Sequence, residues 1–174
     1  MPTSNLIVWR HAEAEVGAPS GLDADRALTD KGHADAQRMA KWLKKQLPKD
    51  AKIYCSPALR CKQTLDGLLA LRGKKNFSHV EYTQTLALES SVAAITQQLL
   101  TAPFSTILMV GHQPLLGELV AYLHSASGAE SYAIKKGAVW WLRQQQSCQV
   151  VTQQSRVVAG AMELLTVQHP KLFR

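Results

Sequence analysis

The strongest constraint on how this chain can fold is a pair of short apolar runs, Leu6–Trp9 and Thr106–Val110, set among segments of helical periodicity. Each run is the length of a strand and far short of a membrane span. Between them, Ala36, Met39, Ala40, Leu43 and Leu47 repeat at helical spacing behind Thr29, a good N-cap, and stop at Pro48. A short strand is expected over Ala51–Cys55. Ser56-Pro57 then resembles a cap and first helical turn, with Cys61, Leu65 and Leu68 on one face and Gly73 as the stop. A strand near Val80–Thr83 and a helix capped by Ser90 or Ser91, with Val92, Ile95 and Leu99 inward, continue the alternation. Beyond Thr106–Val110, a helix carries Leu115, Leu116, Leu119, Val120 and Leu123, and strands follow at Gly137–Leu142 and Met162–Val167. The Gln-rich stretch Gln144–Gln154 reads as a hairpin or loose connection. Strand alternating with helix predicts an α/β sandwich of three layers, α/β/α, around a mixed, mostly parallel sheet. The last strands, with no helix between them, predict an antiparallel edge.

Both apolar runs end in residues that do not belong in a core. Leu6–Trp9 runs into Arg10 and His11, and Thr106–Val110 into Gly111 and His112. Burying such charges unpaired is costly, so they are expected at strand exits facing something negative. Arg60 falls in the first helical turn after the second strand. In open α/β sheets ligands gather beyond the carboxyl ends of the strands. If these strands are parallel neighbours, Arg10, His11, Arg60 and His112 converge there. Two guanidiniums and two imidazoles suit a compact dianion, and phosphate matches the planar fork of arginine. A histidine can itself be the nucleophile, because its unprotonated ring nitrogen is available near neutral pH. Such chemistry requires no metal and no cofactor, and no acidic cluster of hard-metal spacing accompanies the four residues.

The chain of 174 residues carries a net charge of +7 from 20 basic and 13 acidic residues. The basic residues are spread along it, and Lys41, Lys44 and Lys45 read as the solvated face of a helix. Without interleaved aromatics, nucleic acid is not an expected partner, and neither is a membrane. Three cysteines, Cys55, Cys61 and Cys148, without metal-site spacing fit a reducing compartment, and the absence of a basic segment leading into a long apolar one fits the cytoplasm. With no internal repeat or linker, residues 1–174 are expected to form a single domain, working as a monomer.

The segments "VWRHAEAE", "RALTDKG", "SPALRCKQT" and "VGHQPLL" occur in the order of the histidine phosphatase superfamily, also called the phosphoglycerate mutase-like family, and the chain resembles it from about residue 5 to about residue 125. The stretch "DADRALTDKGHADAQRMAKWL" is similar to the SixA group of phosphohistidine phosphatases, with its Asp-x-x-Arg-x-Leu-Thr-x-x-Gly pattern. The resemblance implies that His11 takes up the phosphoryl group while Arg10, Arg60 and His112 bind its oxygens. The short stretch between Arg60 and His112 leaves no room for the lid insertion of larger members. That implies an open groove able to admit a phosphorylated side chain of a partner protein. Arg26 and Thr29 are expected to shape the loop beside the pocket rather than to bind phosphate.

The family's Arg-His-Gly is Arg10-His11-Ala12 here. Its general acid, commonly a Glu, corresponds best to Glu89, although "TLALESS" does not reproduce the motif and a helix N-terminal carboxylate is an equal reading. Glu13 and Glu15 are rivals by their closeness to His11. An imidazole leaving from phosphohistidine needs less protonation than an alkoxide, which favours P–N over P–O bonds as the target. The expected function is therefore hydrolysis of phosphohistidine on a partner protein through a phosphorylated His11, releasing inorganic phosphate. A phosphatase of small phosphate esters, or a non-catalytic phosphate-binding module, are the alternatives. The other histidines, His33, His79, His124 and His169, share no spacing and read as surface or structural.

Overall fold

The computed structural model describes residues 5–72, 79–102, 105–124, 130–144 and 162–173. The first apolar run forms β1 (Asn5–Arg10). Its successive side chains enter two different cores: Leu6 and Val8 pack on one face of the sheet, Ile7 and Trp9 on the other. All four are fully buried. A strand can bury consecutive apolar residues only if helices cover both faces, and each side chain so buried stabilises by roughly 1.5–3 kcal/mol over exposure.

The covering helices follow from local signals. Helix α1 (Asp30–Gln46) starts where the Thr29 hydroxyl accepts the Gly32 N–H at 3.0 Å, and it buries Ala36, Met39, Ala40 and Leu43. Lys41, Lys44 and Lys45 stay exposed. After β2 (Lys52–Cys55), helix α2 (Leu59–Arg72) packs beside α1 and buries Cys61, Leu65 and Leu68. It begins later than Ser56-Pro57 suggested. The Ser56 hydroxyl, which accepts from the Ala58 N–H at 3.3 Å, is also engaged by His112 Nε2 at 2.8 Å, so the first residues form a turn and not a helical cap. Strand β3 (Val80–Tyr82) precedes α3 (Val92–Thr101), whose cap is Ser91. Strand β4 (Thr106–Gly111) is buried along its whole length and leads to α4 (Leu115–His124). Helices α1 and α2 cover one face, and α3 and α4 the other.

Among the described residues six strands lie in the order β3-β2-β4-β1-β5-β6, where β5 is Val139–Gln144 and β6 is Met162–Gln168. Strands β1 to β4 run parallel, while β5 joins β1 and β6 joins β5 antiparallel, making the expected edge. Strand β6, buried at Met162, then alternates exposed and half-buried positions, the pattern of a strand with one face toward solvent. Gly73, and all but the first residue of Gln144–Gln154 with Cys148, lie outside the described residues. Among the described residues no helix is long and apolar enough to cross a membrane.

The register decides where chemistry can occur. Arg10 pairs with Gly111 at the carboxyl ends of the neighbouring parallel strands β1 and β4, so His11 and His112 emerge side by side.

Candidate active site

Backbone bonds hold the exit of β1 from three directions. The His11 N–H donates to Gly111 O at 3.0 Å, extending the β1–β4 ladder by one residue. The Gly137 N–H reaches the carbonyls of Arg10 and His11 at 3.2 and 3.0 Å, from a left-handed conformation (φ +74) that suits glycine. The Ala12 N–H donates to Thr64 Oγ1 at 3.0 Å, and that hydroxyl donates to Arg60 O at 2.7 Å, tying β1 to the first turn of α2. Gly32 completes the frame, since a Cβ there would lie 2.0 Å from Glu13 O.

The two histidine rings sit 5.2 Å apart, centroid to centroid, but are held differently. His11 Nδ1 lies 2.7 Å from Ala12 O. A carbonyl only accepts, so Nδ1 carries the proton and Nε2 keeps a free lone pair. Burial, and then the charges of Arg60, Arg10 and Lys136, outweigh the Ala12 hydrogen bond and push the His11 pKa down to about 4. The ring is therefore neutral at neutral pH. His112 pairs through Nε2 with Ser56, and burial, with the charges of His11 and Arg60, pushes its pKa down to about 3 against the pull of Asp23.

Arg60 is only 1% exposed. Its Nη1 donates to Asp23 O at 2.6 Å and its Nη2 to Asp23 Oδ2 at 2.7 Å, while Arg26 Nε approaches Asp23 Oδ1 at 3.0 Å. Arg10 Nη1 donates to Ile134 O at 2.7 Å. Among the described residues, the Nε groups of Arg10 and Arg60 are buried without a hydrogen-bond acceptor. Buried donors of this kind are costly unless an acceptor arrives, and guanidiniums prefer an oxyanion. A cavity of about 180 Å³ is lined by Arg10, His11, Arg26, Arg60, His112, Lys136, Asp23, Gln113, Ala14 and Leu88. Among the described residues its low-dielectric walls carry four cationic side chains, Arg10, Arg26, Arg60 and Lys136, against the carboxylate of Asp23, and this excess of positive charge concentrates an anion there. Among the described residues no group of three or more His, Cys, Asp or Glu is placed to hold a metal ion. Cys61, whose thiol burial raises to about 12, stays protonated and is no nucleophile.

The structure thus brings Arg10, His11, Arg60 and His112 into one cavity. Glu13 is elsewhere engaged, with Lys31 Nζ at 2.5 Å and the Thr29 hydroxyl at 3.3 Å, and does not line it. Glu89 borders an adjoining cavity of about 420 Å³ but not the cationic one. Thr29 caps α1 as expected, whereas Arg26 reaches the cavity itself. Sequence reasoning missed Asp23, Lys136, Gln113, Ser56 and Thr64. Asp23 opens the quoted "DADRALT" segment and Ser56 the "SPALR" segment, so a signal existed for both, whereas Lys136 carries none.

The family model of the histidine phosphatase superfamily (branch 1) matches residues 6–87. The phosphohistidine phosphatase SixA of Escherichia coli (strain K12) is 32% identical over 119 residues, covering 68% of this chain and 73% of that protein. A structure of the protein histidine phosphatase SixA complexed with tungstate superposes with a TM-score of 0.76 at 24% identity, covering 97% of this chain and 98% of that one. A mycobacterial glucosyl-3-phosphoglycerate phosphatase shares the fold at a TM-score of 0.66 and 15% identity, covering 94% and 97% of the two chains.

Proposed function

The chain belongs to the histidine phosphatase superfamily, and from that premise we propose that it hydrolyses phosphohistidine on a partner protein, with His11 as transient carrier of the phosphoryl group. The observation that carries this reading is the free Nε2 of His11, held neutral inside a pocket of guanidiniums. Arg10, Arg60 and His112 bind the phosphoryl oxygens, and the two guanidiniums neutralise the charge that builds as the bond to the leaving group breaks. Nε2 attacks phosphorus, the leaving imidazole departs, and the Nδ1–H bond to Ala12 O steadies the cationic ring of the phosphorylated histidine. Water then attacks phosphorus, inorganic phosphate leaves, and His11 returns to its neutral tautomer. No step uses a metal or cofactor.

Similarity to the Escherichia coli phosphohistidine phosphatase supports a P–N substrate. The larger cavity beside the cationic one gives space for the group that bears the phosphate. That space also lies within the size of small-ligand sites, roughly 300–1,000 Å³, which keeps a small phosphate ester as the second reading. The protonated thiols of Cys55 and Cys61 suit a reducing cytoplasm. We take the chain to act as a monomeric single domain.

The test is to trap the intermediate and rank substrates. Wild-type protein should acquire an acid-labile, base-stable phosphoryl label that His11→Ala does not, and should turn over phosphohistidine proteins faster than sugar or glycerate phosphates. The reverse ranking would favour the small-ester reading. Phosphate binding with no label would identify a binding module.

A further inference from the structure

Asp23 has no task in the scheme above, yet among the described residues it is the one carboxylate lining the cationic cavity. It also lines the adjoining cavity with Leu22, Pro57, Leu88 and Glu89, so it stands on the boundary between the two. Its position is set by structure: the Arg26 N–H donates to its carbonyl at 3.3 Å, closing a 3-10 turn over Asp23–Asp25, and Arg60 Nη1 donates to the same carbonyl. Its carboxylate lies between two guanidiniums, with Oδ2 on Arg60 and Oδ1 on Arg26. Its side chain is nonetheless 51% exposed, so an incoming group can reach it.

Resting on the phosphatase reading, we propose that Asp23, and neither Glu89 nor Glu13, is the proton donor to the leaving group, and that the substrate's own phosphoryl group loads the proton. In the structure Asp23 occupies a guanidinium that a phosphoryl dianion would claim. Desolvation opposes ionisation of Asp23, but the hydrogen bond and charge of Arg60, with the charge of Arg26, outweigh it and hold the carboxyl below its usual range. As it stands Asp23 is a poor acid. When the dianion takes the donors of Arg60, Asp23 loses its counter-ion and gains a negative neighbour, and both changes raise its proton affinity. The site thus arms its acid only with substrate bound.

The protons balance. Asp23 takes one from solvent as substrate binds. It gives it to the nitrogen or oxygen of the leaving group as His11 Nε2 bonds to phosphorus and the P–N or P–O bond breaks. The resulting carboxylate accepts a proton from the attacking water as that oxygen bonds to phosphorus and the His11–phosphorus bond breaks. Inorganic phosphate leaves, and the proton returns to solvent when Arg60 closes again on Asp23.

The experiment compares Asp23→Asn and Asp23→Glu with wild type on p-nitrophenyl phosphate, a phosphohistidine protein and phenyl phosphate, following kcat against pH and the label on His11. Asn retains a carbonyl oxygen for Arg60, so it removes the proton and leaves the acceptor. Asp23→Asn should lose about a hundredfold on phenyl phosphate, clearly less on phosphohistidine and least on p-nitrophenyl phosphate. It should also lose the alkaline limb of kcat, and Asp23→Glu should restore part of the rate and that limb. Equal losses on all three substrates, or an alkaline limb that survives in Asp23→Asn, would overturn the acid role and leave Asp23 as a tether for Arg60. That result with a normal His11 label leaves the phosphatase reading standing; a wild type that forms no label overturns both.

Discussion

The two cavities that meet at Asp23, Leu88 and His112 are built by opposite means. The cationic one rests on the carboxyl ends of β1 and β4 and the first turn of α2, with the exit of β1 held by hydrogen bonds from β4, α2 and Gly137. The adjoining one is made of turns, Leu22–Ala24, Ser56–Ala58 and Gln84–Glu89, with Leu22 and Leu88 exposed. Strand ends place charged groups within tenths of an ångström, which phosphoryl transfer demands. Turns can vary in shape and side chain without disturbing the sheet. In the proposed reading the first cavity sets the chemistry and the second chooses which phosphorylated group is admitted.

The sharpest way to break that division is to remove the nucleophile. His11→Ala should lower turnover of every substrate by about 10³-fold or more, with its thermal melting unchanged within a few degrees. A loss confined to one substrate would mean that the cationic cavity does not carry the common chemistry.

Arg60 comes next. Arg60→Lys keeps a charge but loses the fork that reaches the 1%-exposed pocket floor, and kcat/KM should fall by about 10²-fold or more on all substrates alike. Rescue by lysine to near wild type would show that charge alone suffices there.

The pH dependence sharpens the contrast at the level of one ring. With its pKa pushed down to about 4, His11 in the free protein is neutral above that value and loses its lone pair only as pH falls through it. The acid limb of kcat/KM assigned to the protein should therefore lie near 4, well below the 6.5 of an ordinary histidine, once the second ionisation of the substrate is corrected for. A protein limb near 6.5 would put the nucleophile outside the buried cavity.

Smaller effects are expected in the second cavity. Leu22→Ala removes an exposed wall of the groove, and KM for a phosphohistidine protein should rise by no more than about tenfold with kcat preserved. A change in kcat would show that the groove takes part in the chemistry. Smallest of all is the response to chelation: EDTA should leave turnover unchanged, and a loss restored by a divalent ion would displace the metal-free scheme.

Much of this architecture could be read along the chain because its causes are local. The caps at Thr29 and Ser91, the stop before Pro48 and the consecutive apolar residues of β1 and β4 each reflect a preference acting over a few residues, and the structure places those elements within a residue or two of expectation. The start of α2 was displaced because Ser56 answers to His112, a partner far away in the chain. No periodicity reports such a claim.

For the site, the sequence by itself determined which residues leave the strand ends, Arg10, His11 and His112, because a core that excludes unpaired charge must expel them at the sheet's edge. Only the tertiary structure decided what each can do. The bond from His11 to Ala12 O selects the tautomer, the β1–β4 register sets the two rings 5.2 Å apart, and Gly137, at the turn into β5, brings Lys136 to the cavity. It also gave Asp23 rather than Glu13 or Glu89 to Arg60. Proton location and pKa depend on distances of a few ångströms between groups that are far apart in sequence, and those distances exist only once the sheet has closed.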